Sequence, residues 1–331
     1  MNIRPKYIHL VSSLGYRADA GESLVIARSL DHIEQRITEV MYAELRALLF
    51  FPTIPGIDPG AKTYTFTVMD RSGRAAIAGA RGKNLPRGNE SLTENTSGIE
   101  TYGAEYAYTT QELRALAMAN NGRGPSIQLE TTRATTAAQM IARAIDSVVA
   151  FGEPLRATGQ ATIKGVLNNA NVTIETAPLA WADMTPDELL QELFALANRP
   201  FVISKEIFQP DTILLPTAHH QLVSTLPYGT AGLKTVLAFF NDAMANARRN
   251  VAVESWPLLA TADAARTGPR AMSYVRNVEN MGAIVPAAFI AQPPQADGLE
   301  WKIPCEGICG GAAVLRPMSM YYRDGLGAIS S

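Results

Sequence analysis

The chain has 331 residues, with 29 Lys and Arg against 31 Asp and Glu and a formal net charge of −2, so it lacks the surplus of clustered cations that would hold a polyanion. Hydrophobic residues make up 47% and charged residues only 18%, against about 25% in an ordinary soluble domain; this excludes a disordered chain and suggests that part of the surface meets protein rather than water. No run approaches the roughly 18 consecutive apolar residues of a membrane span, and residues 1–20 carry no basic start followed by an apolar block, so a soluble protein without a secretory leader is expected.

Residues 1–21 show no sustained period and read as an arm. Leu30, Ile33, Ile37, Val40, Met41, Leu45 and Leu48 recur at three- and four-residue steps, which predicts an amphipathic helix over 23–49. Pro52, Pro55, Gly56, Pro59 and Gly60 then mark a boundary. The period changes to two at Tyr64, Phe66 and Val68; Asp70-Arg71-Ser72-Gly73 supplies turn chemistry and 75–80 resumes an extended run, which predicts a hairpin. Residues 81–97 carry no core period and read as a loop too long for a compact domain, one that does a job or reaches a neighbour.

Tyr102, Ala104, Tyr106 and Tyr108 alternate as a strand that runs into the capping box Thr109-Thr110-Gln111-Glu112 and a short helix ending at Asn121-Gly122. A longer helix is predicted over 130–151, with Ala134, Ala138, Ile141, Ile145 and Val148 inward and Gly152 as its cap. From about 180 the style becomes α/β. Thr185-Pro186-Asp187-Glu188 starts a helix, Thr212 to Leu215 reads as a buried strand, and Leu233, Val236, Leu237, Phe240 and Met244 mark another helix closed by Arg248-Arg249. Short strands are expected over 272–275, 283–290, 311–315 and 319–322, with a loop of small and polar residues over 262–270.

Catalytic and metal motifs are missing. Gly56 to Thr63 imitates a phosphate loop, but its gap is too short, Ala61 separates glycine from lysine, and a strand rather than a helix follows. His219-His220 has no partnered nucleophile and reads as a solvated or capping pair, and His32 as a surface group. Glu188 and Glu192 share one helical face, where acids complement the helix dipole. Cys305 and Cys309 are too few for a disulfide framework and lack two further ligands for zinc, so they read as a reduced pair in a packed strand.

The order of segments resembles the tailed-phage major capsid proteins of the Hong Kong 97 fold over about 27–326. The residues carrying it are Ala27 to Glu34, Pro59 to Phe66, Asp70 with Gly73-Arg74-Ala75, Tyr106 to Tyr108 before Gln111-Glu112-Leu113, Gly165 to Asn169, Leu214-Leu215-Pro216, Arg316-Pro317 and Asp324-Gly325. The resemblance implies an α+β fold in five segments: an N-terminal arm with its amphipathic helix (1–58), an extended hairpin loop (59–108), a peripheral domain with a spine helix (109–180), a central axial α/β domain (181–294) and a return to the peripheral domain (295–331). It implies a self-assembling shell of hexamers and pentamers in a virion, assembled in the host cytoplasm. The shell would enclose double-stranded DNA without sequence-specific contacts, alongside a portal and separate scaffold or cement proteins, with no catalysis, cofactor, metal or membrane.

Within that reading, Arg71, Arg74, Arg81, Lys83 and Arg87, with no acid between Arg71 and Asn89, are the candidate contacts between subunits, together with Ile33 and Ile37 of the arm helix. Relatives often carry acids in this loop, so the basic run is a departure. The founding member of the fold links loop lysines to asparagines, which makes Lys83 a candidate, although noncovalent shells are expected. Arg266, Gly268 and Arg270 are the candidate axial loop. The rival readings are a cargo-holding nanocompartment of the same fold and, drawing only on 180–260, an α/β enzyme.

Overall fold

The computed structural model describes residues 44–75, 87–118, 129–153, 162–229 and 234–329. Ile33, Ile37, Arg81 and Lys83 lie outside these residues, as does most of the predicted arm helix. The described part of that helix is one turn, α1 (Ala47–Phe50).

The hairpin is longer than its sequence pattern. Strand β1 (Thr63–Ser72) runs straight through the segment read as a turn and pairs antiparallel with β2 (Asn89–Gly98), in unbroken register from Thr63↔Gly98 to Ser72↔Asn89. The second strand thus comes from the stretch read as a loop. A period of two is written into a sequence only where one face of a strand meets a core, and Asn89 to Glu94 are exposed on both faces.

Strand β3 (Glu100–Thr109) ends in the predicted capping box. The Thr109 N–H donates to Glu112 Oε2 at 3.0 Å and the Glu112 N–H donates to Thr109 Oγ1 at 3.2 Å, opening α2 (Thr110–Met118). The long helix α3 (Leu129–Phe151) has 23 residues, about 35 Å at 1.5 Å per residue. Gly152 closes it at φ +72°, where a Cβ would lie 2.3 Å from the Ile163 carbonyl oxygen. Then follow β4 (Thr173–Thr176), α4 (Pro186–Ile203), β5 (Thr212–Leu215), α5 (Thr217–Thr225), α6 (Val236–Asn246), β6 (Ala252–Ser255), β7 (Ala271–Tyr274), β8 (Met281–Ala283), β9 (Ala287–Ala291), β10 (Gln295–Asp297), β11 (Glu300–Cys309), β12 (Ala312–Val314) and β13 (Met320–Asp324).

The first large sheet is centred on β11, which pairs with all ten residues of β3, from Glu300↔Thr109 to Cys309↔Glu100, and holds β9 and β10 on its other edge. Pro304 and Gly307 hide the length of this strand from a pattern reading, which placed only Cys305 and Cys309 in a packed strand. Gly307 has a packing role: a Cβ there would lie 2.4 Å from Ile141 Cγ2, so its absence lets α3 lie close on the sheet. Ile141, Ile145 and Val148 pack with Tyr102, Ala104, Cys305 and Cys309 in the main core. Both cysteines are free thiols, and burial pushes that of Cys309 up to about 11.

The second sheet runs in the order β6-β5-β7-β13-β4, parallel at its two outer pairs and antiparallel in the middle. Its alternation serves two cores. Ile213, Leu215, Ala271 and Tyr321 pack with apolar residues of α4 and α6, whereas Leu214, Met272, Tyr274, Met320 and Tyr322 pack into the core shared with α1 and α3. Helix α4 starts at the predicted capping box of Thr185 and Glu188. The segment boundaries drawn from sequence cut across this sheet. Strand β4, from 109–180, forms its exposed edge, and β13, from 295–331, is an interior member because it is buried on both faces. The cations expected at the end of α6 are displaced as well: Arg249 turns to α4, donating to the Ala197 carbonyl at 2.9 Å and to Asn198 Oδ1 at 2.5 Å.

Candidate functional site

The base of the hairpin is fixed to the body through one face. Tyr64 and Phe66, 6.2 Å apart, pack with Ile99, Ile284, Ile308 and Ala313. Next to this anchor the two strands are tied across by Thr65 Oγ1···Thr96 Oγ1, 3.0 Å, and beyond Phe66 the ribbon continues by strand pairing to Ser72↔Asn89. Val68, Met69 and Leu92 are exposed there, and Met69 stands directly opposite Leu92. Three of the five candidate basic residues are described: Arg71, Arg74 and Arg87 are all exposed at this end, and Arg71 pairs loosely with Glu90 at 3.7 Å.

The candidate axial loop is tied down. Asp263 organises it, its carboxylate accepting the Thr267 N–H at 2.7 Å and its N–H donating to the Gly268 carbonyl at 3.0 Å. Arg266 donates to the Phe151 carbonyl at the end of α3 at 3.0 Å and lies 5.2 Å over the Phe151 ring. Arg270 is not a loop residue at all. Its guanidinium is 1% exposed, forks onto the two oxygens of Asp324 at 2.6 and 2.7 Å, donates to the Leu167 carbonyl and sits 4.6 Å over the Tyr322 ring. A buried guanidinium needs such a carboxylate, which removes Arg270 from any contact with a neighbour.

Two groups read from the sequence as a solvated or capping histidine and as an acid complementing a helix dipole are buried in the structure. His219 is buried, its Nε2 3.0 Å from the Gly327 carbonyl oxygen and its ring edge-on to Trp181 at 5.6 Å; burial holds its pKa below the ordinary range despite the carbonyls of Leu326 and Gly327. Glu192 is buried and takes the fork of Arg323 at 2.6 and 2.8 Å, tying α4 to β13. Glu188, by contrast, acts only in its capping box, which lowers its pKa.

A mooring that carries no motif joins the arm to the body at α1. Asp146 of α3, buried and with its pKa raised by desolvation, accepts the Ala47 N–H at 2.8 Å. Arg46 donates to the Ser255 carbonyl at 3.0 Å, Tyr274 Oη to the Phe50 carbonyl at 3.0 Å and Arg276 to the Leu49 carbonyl at 2.5 Å. Phe50 and Phe51 meet the Trp256 ring edge-on at 5.8 and 5.5 Å. These partners lie 99 to 227 residues away, beyond the reach of any local pattern.

Two cavities lie among the described residues. One, of about 430 Å³, lies beneath the hairpin base between Phe66, Val68, Asn95, Lys164, Asn171 and Leu315. The other, of about 490 Å³, is lined by Tyr106, Tyr108, Leu113, Pro294, Trp301 and Ile303. Beside the second, Arg133 lies 5.4 Å over Tyr108 and forks onto Glu112 at 2.8 and 3.1 Å, which holds the Glu112 carboxyl down to about 2. Neither cavity brings together a nucleophile and a base, and among the described residues no three His, Cys, Asp or Glu gather as a metal site. The phosphate-loop imitation at Gly56 to Thr63 leads into β1.

The comparisons point to shell proteins. The family described as "Major capsid protein" matches residues 73–326. The capsid of Myoviridae phage XM1 superposes with a TM-score of 0.76 at 17% identity, covering 91% of this chain and 98% of that one. A Mycobacterium phage Adephagia chain gives 0.61 at 11% identity, covering 95% and 100%, and the capsid of the native GTA particle gives 0.60 at 11%, covering 93% and 99%. No curated protein matches in sequence.

Proposed function

The chain belongs to the major capsid protein family and is a shell protein with the Hong Kong 97-like fold of tailed-phage capsids, and from that premise we propose how its parts serve the shell. It encloses double-stranded DNA, without catalysis and without sequence-specific contacts. Its subunits form hexamers and pentamers that join a portal and separate scaffold or cement proteins, and it assembles in the host cytoplasm. The observation that carries this reading is the family match over 73–326 together with a fold shared across nine-tenths of the chain.

The distal hairpin is the contact between subunits, with Arg71, Arg74 and Arg87 joined by Arg81 and Lys83; Ile33 and Ile37 add an arm contact. The support is a ribbon of ten residue pairs whose outer half meets no core of its own chain. The five-stranded sheet with α4, α5 and α6 is the part nearest the ring axes. Arg266 and Gly268 would stand there as a braced corner rather than a free loop, since the end of α3 already holds Arg266. The near-neutral composition supports a wall that does not clamp its contents, since phosphate contacts made by excess cations bind tightly and in a salt-dependent manner.

Electron microscopy of the expressed full chain tests the reading: closed icosahedral particles are expected, and a chain that stays monomeric with portal and scaffold proteins supplied would overturn it. Particles from a phage lysate that contain an enzyme and no DNA would instead assign the chain to a cargo compartment. A particle map that sets Arg266 at the contact between rings would refute the axial placement.

A further inference from the structure

We infer that the Asp146 carboxyl is a proton-controlled latch on the arm: seating residues 46–51 on α3 shuts a lone carboxylate away from water, so the segment grips more tightly when that group carries a proton and slackens as the proton leaves. The inference concerns the folded subunit and stands apart from the shell reading.

The placement of Asp146 is unusual for an acid. It lies in the buried stripe of α3 beside Ile145 and Val149 and is 7% exposed. The segment that covers it is itself sealed, since Ala47, Phe50 and Phe51 are all buried in the same core. What meets the carboxylate is main chain: the Ala47 N–H donates to it at 2.8 Å, and the Arg46 N–H bonds it as well. Among the described residues no cation pairs with it, and a buried carboxylate without a cation is held at the expense of its solvation.

The charged groups of the surrounding elements serve elsewhere. On the arm side, Arg46 reaches the Ser255 carbonyl and the exposed Glu44. On the sheet side, Arg276 takes the Leu49 carbonyl, Asp211 accepts the Arg276 N–H at 2.9 Å, and Glu254 is exposed on β6. Arg143, one turn earlier on α3, is exposed. On β3, Glu100 shares the face of Tyr102 and Ala104 that packs on α3, at the Cys309 end of the sheet, whereas Glu105 and Glu306 lie on the other face.

The sign follows from that environment. Desolvation outweighs the two amide donors, so the docked carboxyl keeps its proton to higher pH than the free group, whose ordinary value is 3.8. The grip is therefore complete below 3.8 and is lost as the pH rises through the docked value. Protonation does not break the bond to Ala47, because a neutral carboxyl still has an acceptor oxygen. The other grips do not titrate in this range: burial keeps the Tyr274 hydroxyl protonated, and Arg46 and Arg276 stay charged. The arm is thus clamped to α3 in acid and most readily released near neutral pH, without unfolding of the body.

Hydrogen exchange of the dissociated full-length subunit tests the latch, read by mass spectrometry on a peptide spanning 44–51 and corrected for the intrinsic pH dependence of exchange. Protection should rise severalfold between pH 7 and pH 4, relative to a peptide from β5. In Asp146→Asn the rise should vanish, while in Asp211→Asn, which alters the neighbouring acid, it should persist. An equal rise in Asp146→Asn, loss of the rise in Asp211→Asn, or wild-type protection that stays level or falls on acidification would each overturn the proposal. If Asp146→Asn does not fold, the wild-type and Asp211→Asn profiles decide.

Discussion

Strand β13 lies between two neighbours with side chains buried on both faces, whereas the outer half of the β1–β2 ribbon has a single partner strand and open surface on each side. Both are regular β-structure in one chain, yet their stabilisation differs in kind. Strand β13 is held by burial and by two internal ion pairs, Arg270 with Asp324 and Arg323 with Glu192, so its geometry is complete within the subunit. The ribbon is held by main-chain pairing and the Tyr64 and Phe66 anchor at its base, so its outer half has geometry without burial. Damage to the first region should therefore appear as lost folding, and damage to the second as lost assembly of well-folded subunits.

The largest effect is expected for Arg270→Ala, which strands the Asp324 carboxylate in the core. Removing one partner of a buried pair costs about 3–5 kcal/mol, and denaturant unfolding of dissociated subunits should show a loss of that size. An unchanged midpoint would mean that water reaches Asp324 and that the sheet is less closed than described. Next comes Gly307→Val, which drives a side chain into Ile141 where α3 crosses β11; overpacking of this kind costs about 1–3 kcal/mol, measurable in the same way.

His219 should give a smaller, pH-dependent term. Its pKa is lowered in the folded state from an ordinary 6.5, so the unfolded chain binds the proton more readily. The stability it contributes is complete above 6.5 and is lost as the pH falls through 6.5 towards the lowered folded value. Melting temperatures of wild type and His219→Gln between pH 8 and pH 5 should converge on acidification, and parallel curves would refute the assignment. The smallest effect on the subunit belongs to the hairpin. Reversing Arg71, Arg74 and Arg87 to Glu together should move subunit stability by no more than about 0.5 kcal/mol per site, as for exposed sites generally, while blocking shells in sedimentation. Normal shells from that variant would break the contrast at its functional end.

The same contrast explains what could be read from the sequence. Local chemistry was legible: Thr109 with Glu112 and Thr185 with Glu188 are capping boxes, and Gly152 stops the long helix, because each device is complete within a few residues. The second hairpin strand was hidden because exposure on both faces erases the period, and of β11 only the stretch around Cys305 and Cys309 was read as strand, because Pro304 and Gly307 interrupt its pattern. The roles of Arg270, His219 and Asp146 could not be read, since Asp324, Gly327 and Ala47 lie 54 to 108 residues away. Of the candidate site, the basic residues of the hairpin were legible as a charge run, whereas the cavity under Trp301 exists only once β3 and β11 pair.

The mooring at α1 also has a mechanical meaning. Tension entering the body from the N-terminal side would arrive at Arg46 and Ala47, where the grips on Ser255, Asp146, Tyr274 and Arg276 hold the Arg46 side chain and three neighbouring backbone positions while Phe50 and Phe51 are wedged beside Trp256. Such grips share a pull in parallel instead of opening one after another. Because Asp146 belongs to α3 while Ser255 and Tyr274 end strands β6 and β7, strain applied at the arm would be divided between the long helix and the five-stranded sheet.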